Sequence, residues 1–489
     1  MTSPVPKVFD VAVVGGGVVG LAVARECAAR GKTVALLEKE DAFAAGASSG
    51  NSGLGCTGYD APVGSLERKL LRRSIQLHQE LYRSFGLSHE HVRKCGSLVV
   101  AWNDEQHAEL PQVLDENRLA GDNEAILLSA QELREVEPAL DHSARGAVLC
   151  PYEAVVEPWL VPMGYAESAR RFGANLFLRS RVASASRDAN ANVWELKVEN
   201  SEDASLGRSQ TQKLLTDAHA QAHVRQPLHQ TRDDVWSSPK LRARVVVNCA
   251  GLWGDELERL TKEPAAKSAS FTIRPRKGQF VVFQAPKGDS IPRLIIEPVA
   301  TQFTKGVIAW TTVYGNIIVG PTAVEQASKT DRATDIETVQ RLEAWGRKIL
   351  PGLRNAKVIG TYAGLRPATE HRDFQVSVSR PGWVTVGGIR STGLTASPGL
   401  GEYIANLVDG IFEPERESST SPSTSSSSMP GVSAAAASPA PRPSQRLEPV
   451  PSLQTLANEY RARGDGCVTL YGRVHRVTHP ISSFGMETV

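Results

Sequence analysis

Three glycines at fixed spacing, Gly15, Gly17 and Gly20, separate an apolar run beginning at Val8 from the small-residue stretch LAVARECAARG. In the pattern G-x-G-x-x-G the first glycine makes a tight turn. The second lets a pyrophosphate reach the backbone, and the third lets a helix pack closely on a strand. The start of that helix offers N–H groups and the positive end of its dipole to phosphates. Glu38 closes the next apolar run, about 20 residues further on. A carboxylate there accepts hydrogen bonds from ribose hydroxyls and repels a 2′-phosphate. Two arginines near the other end of the chain, Arg366 in GLRP and Arg390 in GGIR, suit a different task. A guanidinium grips a carboxylate or phosphate with two parallel hydrogen bonds and keeps its charge when partly buried. The spacing points to a bound dinucleotide, and the arginines are candidates for gripping an anion.

These residues need elements to hold them. Hydrophobic periodicity predicts strands at 8–14, 33–37, 97–101, 175–178, 194–198, 244–248, 279–284, 316–319 and 383–386. Helices are predicted at 66–85, 129–137, 159–172 and 336–349, with a further one from Pro398 to Leu407 capped by Ser397. Strands alternate with helices early and cluster in the middle. The expected fold class is α/β, a Rossmann-type nucleotide-binding domain interleaved with a β-rich substrate-binding domain. The nucleotide domain is expected from 8–90, 181–260 and 366–412, and the substrate domain from 91–180 and 261–365.

Composition limits the alternatives. A chain of 489 residues suggests two or three domains at ~100–200 residues each. Its 55 Lys+Arg against 53 Asp+Glu argue against a nucleic-acid footprint. Six cysteines stand apart with no CxxC pair, which disfavours a zinc ribbon or iron–sulfur module and fits reduced thiols. The start, MTSPVPKVFD, has neither signal-peptide nor transit-peptide character, so a cytoplasmic location is expected, with mitochondria as the alternative. No apolar run approaches the ~20 residues of a transmembrane helix. Two segments look non-globular: a polar insertion at 200–240, and a Ser/Ala/Pro linker at 415–451 that should be disordered. The insertion holds His219, His223 and His229, without the spacing of a metal site, and no metal is expected. Residues 453–489, a helix and an extended piece, are expected to dock back on the body.

The segment after Glu38, AAGASSGNSGLGCTG, is small, polar and glycine-rich. With Ser48, Ser49, Asn51, Ser52 and Gly53 in this order, it resembles the D-amino-acid-oxidase-like superfamily of FAD-dependent oxidoreductases. RRFGANLFLRSRV, VVNCAGLWGDEL and GGIRSTGLTASPGLGEY extend the resemblance over roughly 8–410. It implies FAD as cofactor, held by Gly15, Gly17, Gly20, Glu38, Ser48, Ser49, Asn51, Ser52, Gly53, Val182, Ala250, Gly251, Gly388, Arg390, Ser391, Gly393 and Leu394. TYAGLRPATEHRDFQ and TKGVIAWTTVYGNIIVGPTA are most similar to soluble FAD-dependent glycerol-3-phosphate dehydrogenases, with L-2-hydroxyglutarate dehydrogenases as near relatives.

The resemblance implies oxidation of a secondary alcohol by hydride transfer to flavin N5 while a base takes the hydroxyl proton. Arg366 and Arg390 are expected on the substrate anion, with Tyr314 and His371 as further catalytic candidates. Relatives often have histidine where this chain has Cys56 and Tyr314, so the base is open, and His475 and His479 join the candidates. Glycerol 3-phosphate, giving dihydroxyacetone phosphate, is the leading substrate. L-2-hydroxyglutarate, another 2-hydroxy acid or an amino acid is the alternative, and a non-catalytic FAD-binding interaction module is a third reading. The electron acceptor is left between a quinone, oxygen and a carrier protein.

Overall fold

The computed structural model describes residues 8–200, 240–261, 271–286, 291–300, 306–413 and 446–489. The histidines of the insertion, His219, His223 and His229, lie outside these residues, as does most of the expected linker at 415–451.

The strand Val8–Val14 is apolar along its whole second half, and Val11, Ala12 and Val13 have no exposed surface. A strand buried on both faces belongs in the middle of a parallel sheet. It pairs in parallel with Val34–Leu37 on one side and Lys240–Asn248 on the other. Asn175–Phe177 extends the sheet beyond Val34–Leu37, and Trp383–Gly387 joins Lys240–Asn248, also in parallel. The antiparallel strands Ser180–Asp188, Val193–Asn200 and Gln375–Arg380 complete eight strands. Helices Val18–Ala29, Leu160–Arg171 and Gly393–Phe412 pack together over the central strands.

A second sheet of nine strands is mainly antiparallel. Towards one edge Arg276–Phe283 lies between Ile317–Gly320 and the outer strand Val358–Arg366. Ser97–Ala101 and Ile295–Pro298 form its one parallel pair among the described residues. Helix Ile336–Ile349, capped by the Asp335 side chain, packs against it. Both sheets draw on alternating stretches of the chain, as the expected α/β class requires.

Besides the short Gly254–Arg259 and the later Pro480–Thr488, neither of them foreseen, two helices differ from expectation. Asp104–Leu119 was not foreseen, because it buries little beyond Leu110, Val113 and Asn117. The last helix of the first sheet begins at Gly393, not at Pro398, and Ser397 is not its cap. Proline within a helix removes one N–H and leaves the carbonyl four residues back without its donor. That carbonyl belongs to Leu394, and the Ser397 hydroxyl donates to it at 2.9 Å. The Gly399 N–H donates to Ser74 Oγ at 3.0 Å. Burial of Leu394 to Gly401 then carries the helix across the proline.

The C-terminal residues 446–489 return to the body. Leu447 and Val450, at the end of the expected linker, are buried, and their N–H groups donate to Ser84 and Gly86 carbonyls. Helix Leu453–Arg463 leads to the hairpin Cys467–Leu470 and Arg473–Arg476, then to helix Pro480–Thr488. Tyr471 donates its hydroxyl to the Phe85 carbonyl at 2.7 Å, and Arg476 pairs with Asp41 at 2.6 Å.

At the first turn, space decides. Gly15 has φ +111°, and a side chain there would collide with the Cys249 carbonyl; a Cβ on Gly20 would fall inside contact distance of the Gly15 carbonyl oxygen. Gly20→Ala should therefore lower stability by roughly 3 kcal/mol. Gly410, exposed in a helix with nothing within 4 Å, gives the opposite control. Gly410→Ala should stabilise by about 0.5–1 kcal/mol. Thermal unfolding of both variants checks the pair; equal shifts would mean that the turn is not sterically locked.

Candidate functional site

The chain emerges from the parallel strands at Val14, Leu37, Asn248 and Gly387, and ligands of such sheets bind beyond these carboxyl ends. Gly15, Gly17 and Gly20 follow the first, Glu38 the second, Ala250 and Gly251 the third, Gly388 and Arg390 the fourth. The structure thus gathers most of the expected cofactor residues at one sheet edge. Val182 differs: it is buried in the antiparallel strand Ser180–Asp188.

Helix Val18–Ala29 has Gly17 as its N-cap, which brings no side chain of its own, and the Val18 N–H donates to Ser48 Oγ at 3.0 Å. Glu38 braces the turn from below. Its Oε2 accepts the Gly16 N–H at 2.6 Å and its Oε1 the Glu40 N–H at 2.8 Å. Burial holds this carboxyl above the ordinary glutamate range. Each oxygen keeps a second lone pair for a ribose hydroxyl. The loop 48–53 is braced by its own side chains. Asn51 donates to the Ser48 carbonyl at 2.7 Å and accepts the Gly53 N–H at 2.8 Å. Ser49 donates to the Gly46 carbonyl at 2.9 Å, and Ser52 is partly buried. A Cβ on Gly46 or Gly251 would meet nothing within 4 Å, and one on Gly17 only Ser48 Oγ. A glycine-lined cradle beside a helix start that has a glycine N-cap fits the pyrophosphate and backbone contacts of FAD. Gly388, at φ +69°, turns the chain beside Gln375, and Ser391 is exposed ahead of Gly393 and the buried Leu394.

The two sequence-predicted arginines stand differently. Arg366 ends the strand Val358–Arg366, and its Nη1 donates to the Thr322 carbonyl at 3.2 Å. A Cβ on Gly278 would lie 2.8 Å from its Nη2, so the missing side chain makes room for the guanidinium. Arg276 faces Arg366 directly across the antiparallel register. Among the described residues no carboxylate pairs with Arg366. Burial, and secondly Arg276, push it down to about 10, so it remains a cation at neutral pH. Like charges facing each other across strands repel, which adds to the effect of burial on Arg366. Arg390 is held by the loop after Arg366, donating to the Arg372 carbonyl. No hydrogen bond joins the two arginines.

Tyr314 and His371 are not together. His371 is half-exposed beside Glu370, far from the enclosure a base at a flavin needs. Tyr314 is buried, and its hydroxyl donates to Glu157 Oε1 at 3.2 Å. Glu157 itself was missed, because a lone glutamate in VVEPW carries no spacing signal. It accepts the Trp159 and Leu160 N–H groups at 2.9 and 2.6 Å at a helix start, and the Ser482 hydroxyl from the C-terminal helix. Arg332 was also missed. Its Nη1 donates to Ser49 Oγ at 2.8 Å and to the Ala45 carbonyl at 3.1 Å, placing a cation on the cradle loop. Cys56 lies against Thr395, whose Oγ1 accepts the Cys56 N–H at 3.3 Å.

Comparison with known proteins adds family context. The family described as FAD dependent oxidoreductase matches residues 10–407. The chain is 27% identical to a glycerol 3-phosphate dehydrogenase of Caloramator mitchellensis, over 82% of this chain and 74% of that protein. A glycerol 3-phosphate oxidase of Mycoplasma genitalium is 26% identical over 82% of this chain and 95% of its own. A mitochondrial L-2-hydroxyglutarate dehydrogenase of Nematostella vectensis is 26% identical over 65% of this chain and 62% of its own. Among solved structures, dithionite-reduced L-alpha-glycerophosphate oxidase from Mycoplasma pneumoniae with FAD bound superposes with a TM-score of 0.69. That match covers 82% of this chain and 95% of that one at 24% identity.

Glu157 yields a pH prediction. Burial raises its carboxyl above the ordinary value of 4.5, against the pull of Ser482, the two N–H groups and Tyr314. The fold therefore favours the protonated form, and this contribution is lost as pH rises from 4.5 through the higher folded value. Glu157→Gln cannot ionise, so its unfolding temperature should gain on the wild type with rising pH. A constant difference between pH 4 and 8 would contradict the assignment.

Proposed function

The chain belongs to the FAD dependent oxidoreductase family, and from that premise we propose that it oxidises a small anionic secondary alcohol, glycerol 3-phosphate foremost, to the ketone. The observation that carries this reading is Arg366: an enclosed cation, cradled by Gly278, facing Arg276 and bound to one carbonyl. Such a group is stabilised by an incoming phosphate or carboxylate. The names of the relatives support the phosphate, since a dehydrogenase and two oxidases of glycerol 3-phosphate match most of the chain. A carboxylate substrate such as L-2-hydroxyglutarate meets the same arginine, and relatives of that name are the second reading.

In this reading the first sheet and its helices hold the cofactor, and the second sheet presents the substrate to it. Gly15, Gly17, Gly20 and Ser48 take the pyrophosphate, Glu38 the adenosine ribose, and the loop 48–53 with Gly388 to Leu394 the remainder. When bound, FAD supplies the hydride acceptor. Arg366 positions the substrate anion, and Arg390 is the candidate second contact. With Arg332 on the cradle loop, the site is cationic where both ligands carry negative charge.

Among the described residues no helix is long and apolar enough to cross a membrane. The electron acceptor is open between oxygen, a quinone and a carrier protein; the oxidases among the relatives make oxygen the first to test. Anaerobic addition of glycerol 3-phosphate should bleach the bound flavin, and L-2-hydroxyglutarate should do so more slowly. Bleaching by the latter alone would reverse the order.

A stability trade-off tests Arg366 itself. Arg366→Met should lower kcat/KM for the anionic substrate by roughly 10²–10³. Without substrate the same variant should be at least as stable as the wild type, because it removes a buried cation lacking a carboxylate. A variant that loses stability while keeping activity would show that Arg366 is structural.

A further inference from the structure

The family match ends at residue 407, yet the C-terminal segment reaches the cofactor loop. Thr478 donates its hydroxyl to the Phe43 and Ala44 carbonyls at 3.3 and 3.4 Å, and the Ala44 N–H is bonded to the Gly16 carbonyl at 2.9 Å. The next residue, His479, has almost no exposed surface. Its ring sits edge-on to Tyr362, with centroids 6.2 Å apart, and the Tyr362 hydroxyl donates to the Asn51 carbonyl at 3.4 Å. His479 Nδ1 accepts the Ile481 N–H at 3.2 Å, capping helix Pro480–Thr488.

That bond fixes the tautomer. An Nδ1 that accepts leaves the proton on Nε2 of a neutral ring. Burial pushes the imidazole down to about 3, so the ring is neutral at working pH, although the nearby Asn51 carbonyl opposes the shift. Nε2–H is then a buried donor, and among the described residues no atom, the nearby Asn51 carbonyl included, meets it with good hydrogen-bond geometry. Buried donors left unpaired are rare and costly. The helix cap does not account for this atom, since capping uses only Nδ1.

We propose that His479 is a cofactor-binding residue supplied by the C-terminal segment, its Nε2–H donating to an acceptor atom of the flavin lying along Ser48 to Gly53. The inference rests on the placement of FAD along that loop given above, and it does not depend on which substrate is oxidised.

Two amides separate the donor from the cap. In His479→Asn the side-chain oxygen can replace Nδ1 as cap, but nothing reaches the position of Nε2. In His479→Gln an amide N–H can stand near Nε2, at the expense of the cap. With full-length holoprotein, His479→Asn should keep its unfolding temperature, weaken FAD binding about tenfold and shift the flavin absorption bands. His479→Gln should be less stable yet hold FAD within roughly threefold of wild type. The proposal is overturned if FAD affinity follows stability across the two variants, or if His479→Asn keeps wild-type affinity and spectrum. A change confined to KM for substrate would also overturn it. No substrate is needed for the decisive measurement, so a wild type inert toward glycerol 3-phosphate would count against the proposed reaction and leave this test intact.

Discussion

Everything in the cofactor half depends on one close approach of backbone to backbone. The Gly20 Cα sits against the Gly15 carbonyl, and Gly15 against the Cys249 carbonyl. These contacts let helix Val18–Ala29 start immediately beyond the strand and point its open end at the sheet edge. The Gly15 N–H is bonded to Leu37 and the Cys249 N–H to Val14, so three parallel strands meet at this spot. A second glycine contact, Gly50 against Gly364, brings the cofactor loop onto a strand of the other sheet. Through it, the Val358–Arg366 strand that ends in Arg366 is pinned to the loop expected to carry the flavin.

The electrostatics follow from where the fold puts its cations. Arg366 and Arg332 are brought towards the cofactor loop by elements of the second sheet or its connections. The near-zero net charge of the chain hides this, because exposed pairs such as Arg181–Glu199 cancel elsewhere. Placement, rather than total charge, sets the local potential around Arg366 and Arg332.

Local patterns were readable and distant pairings were not. The β-α-β unit, its glycines and Glu38 announce themselves through short-range spacing, and the strands fall near their expected limits. Helix Asp104–Leu119 was invisible because its buried face is narrow and Pro111 interrupts it. Pro398 misplaced a helix start, since the sequence does not show that the Ser397 hydroxyl fills the gap the proline leaves. Arg332 and Glu157 have no motif at all; their meaning comes from partners more than 150 residues away, Ser49 and Ser482. Arg366 and Arg390 could be named from sequence, but the facing Arg276 that gives the first its character could not.

The alternation of chain between the two sheets bears on how the protein is made. Lys240–Asn248 waits for Trp383–Gly387, and Arg276–Phe283 waits for Val358–Arg366. Neither sheet can close while the ribosome still holds the last hundred or so residues of the body. Pairings this distant in sequence are slow to form and leave strand edges exposed meanwhile. The segment carrying Thr478 and His479 is synthesised later still. On the reading proposed above, a nascent chain completes its cofactor wall only after these late strands have paired, so FAD binding comes late in its folding.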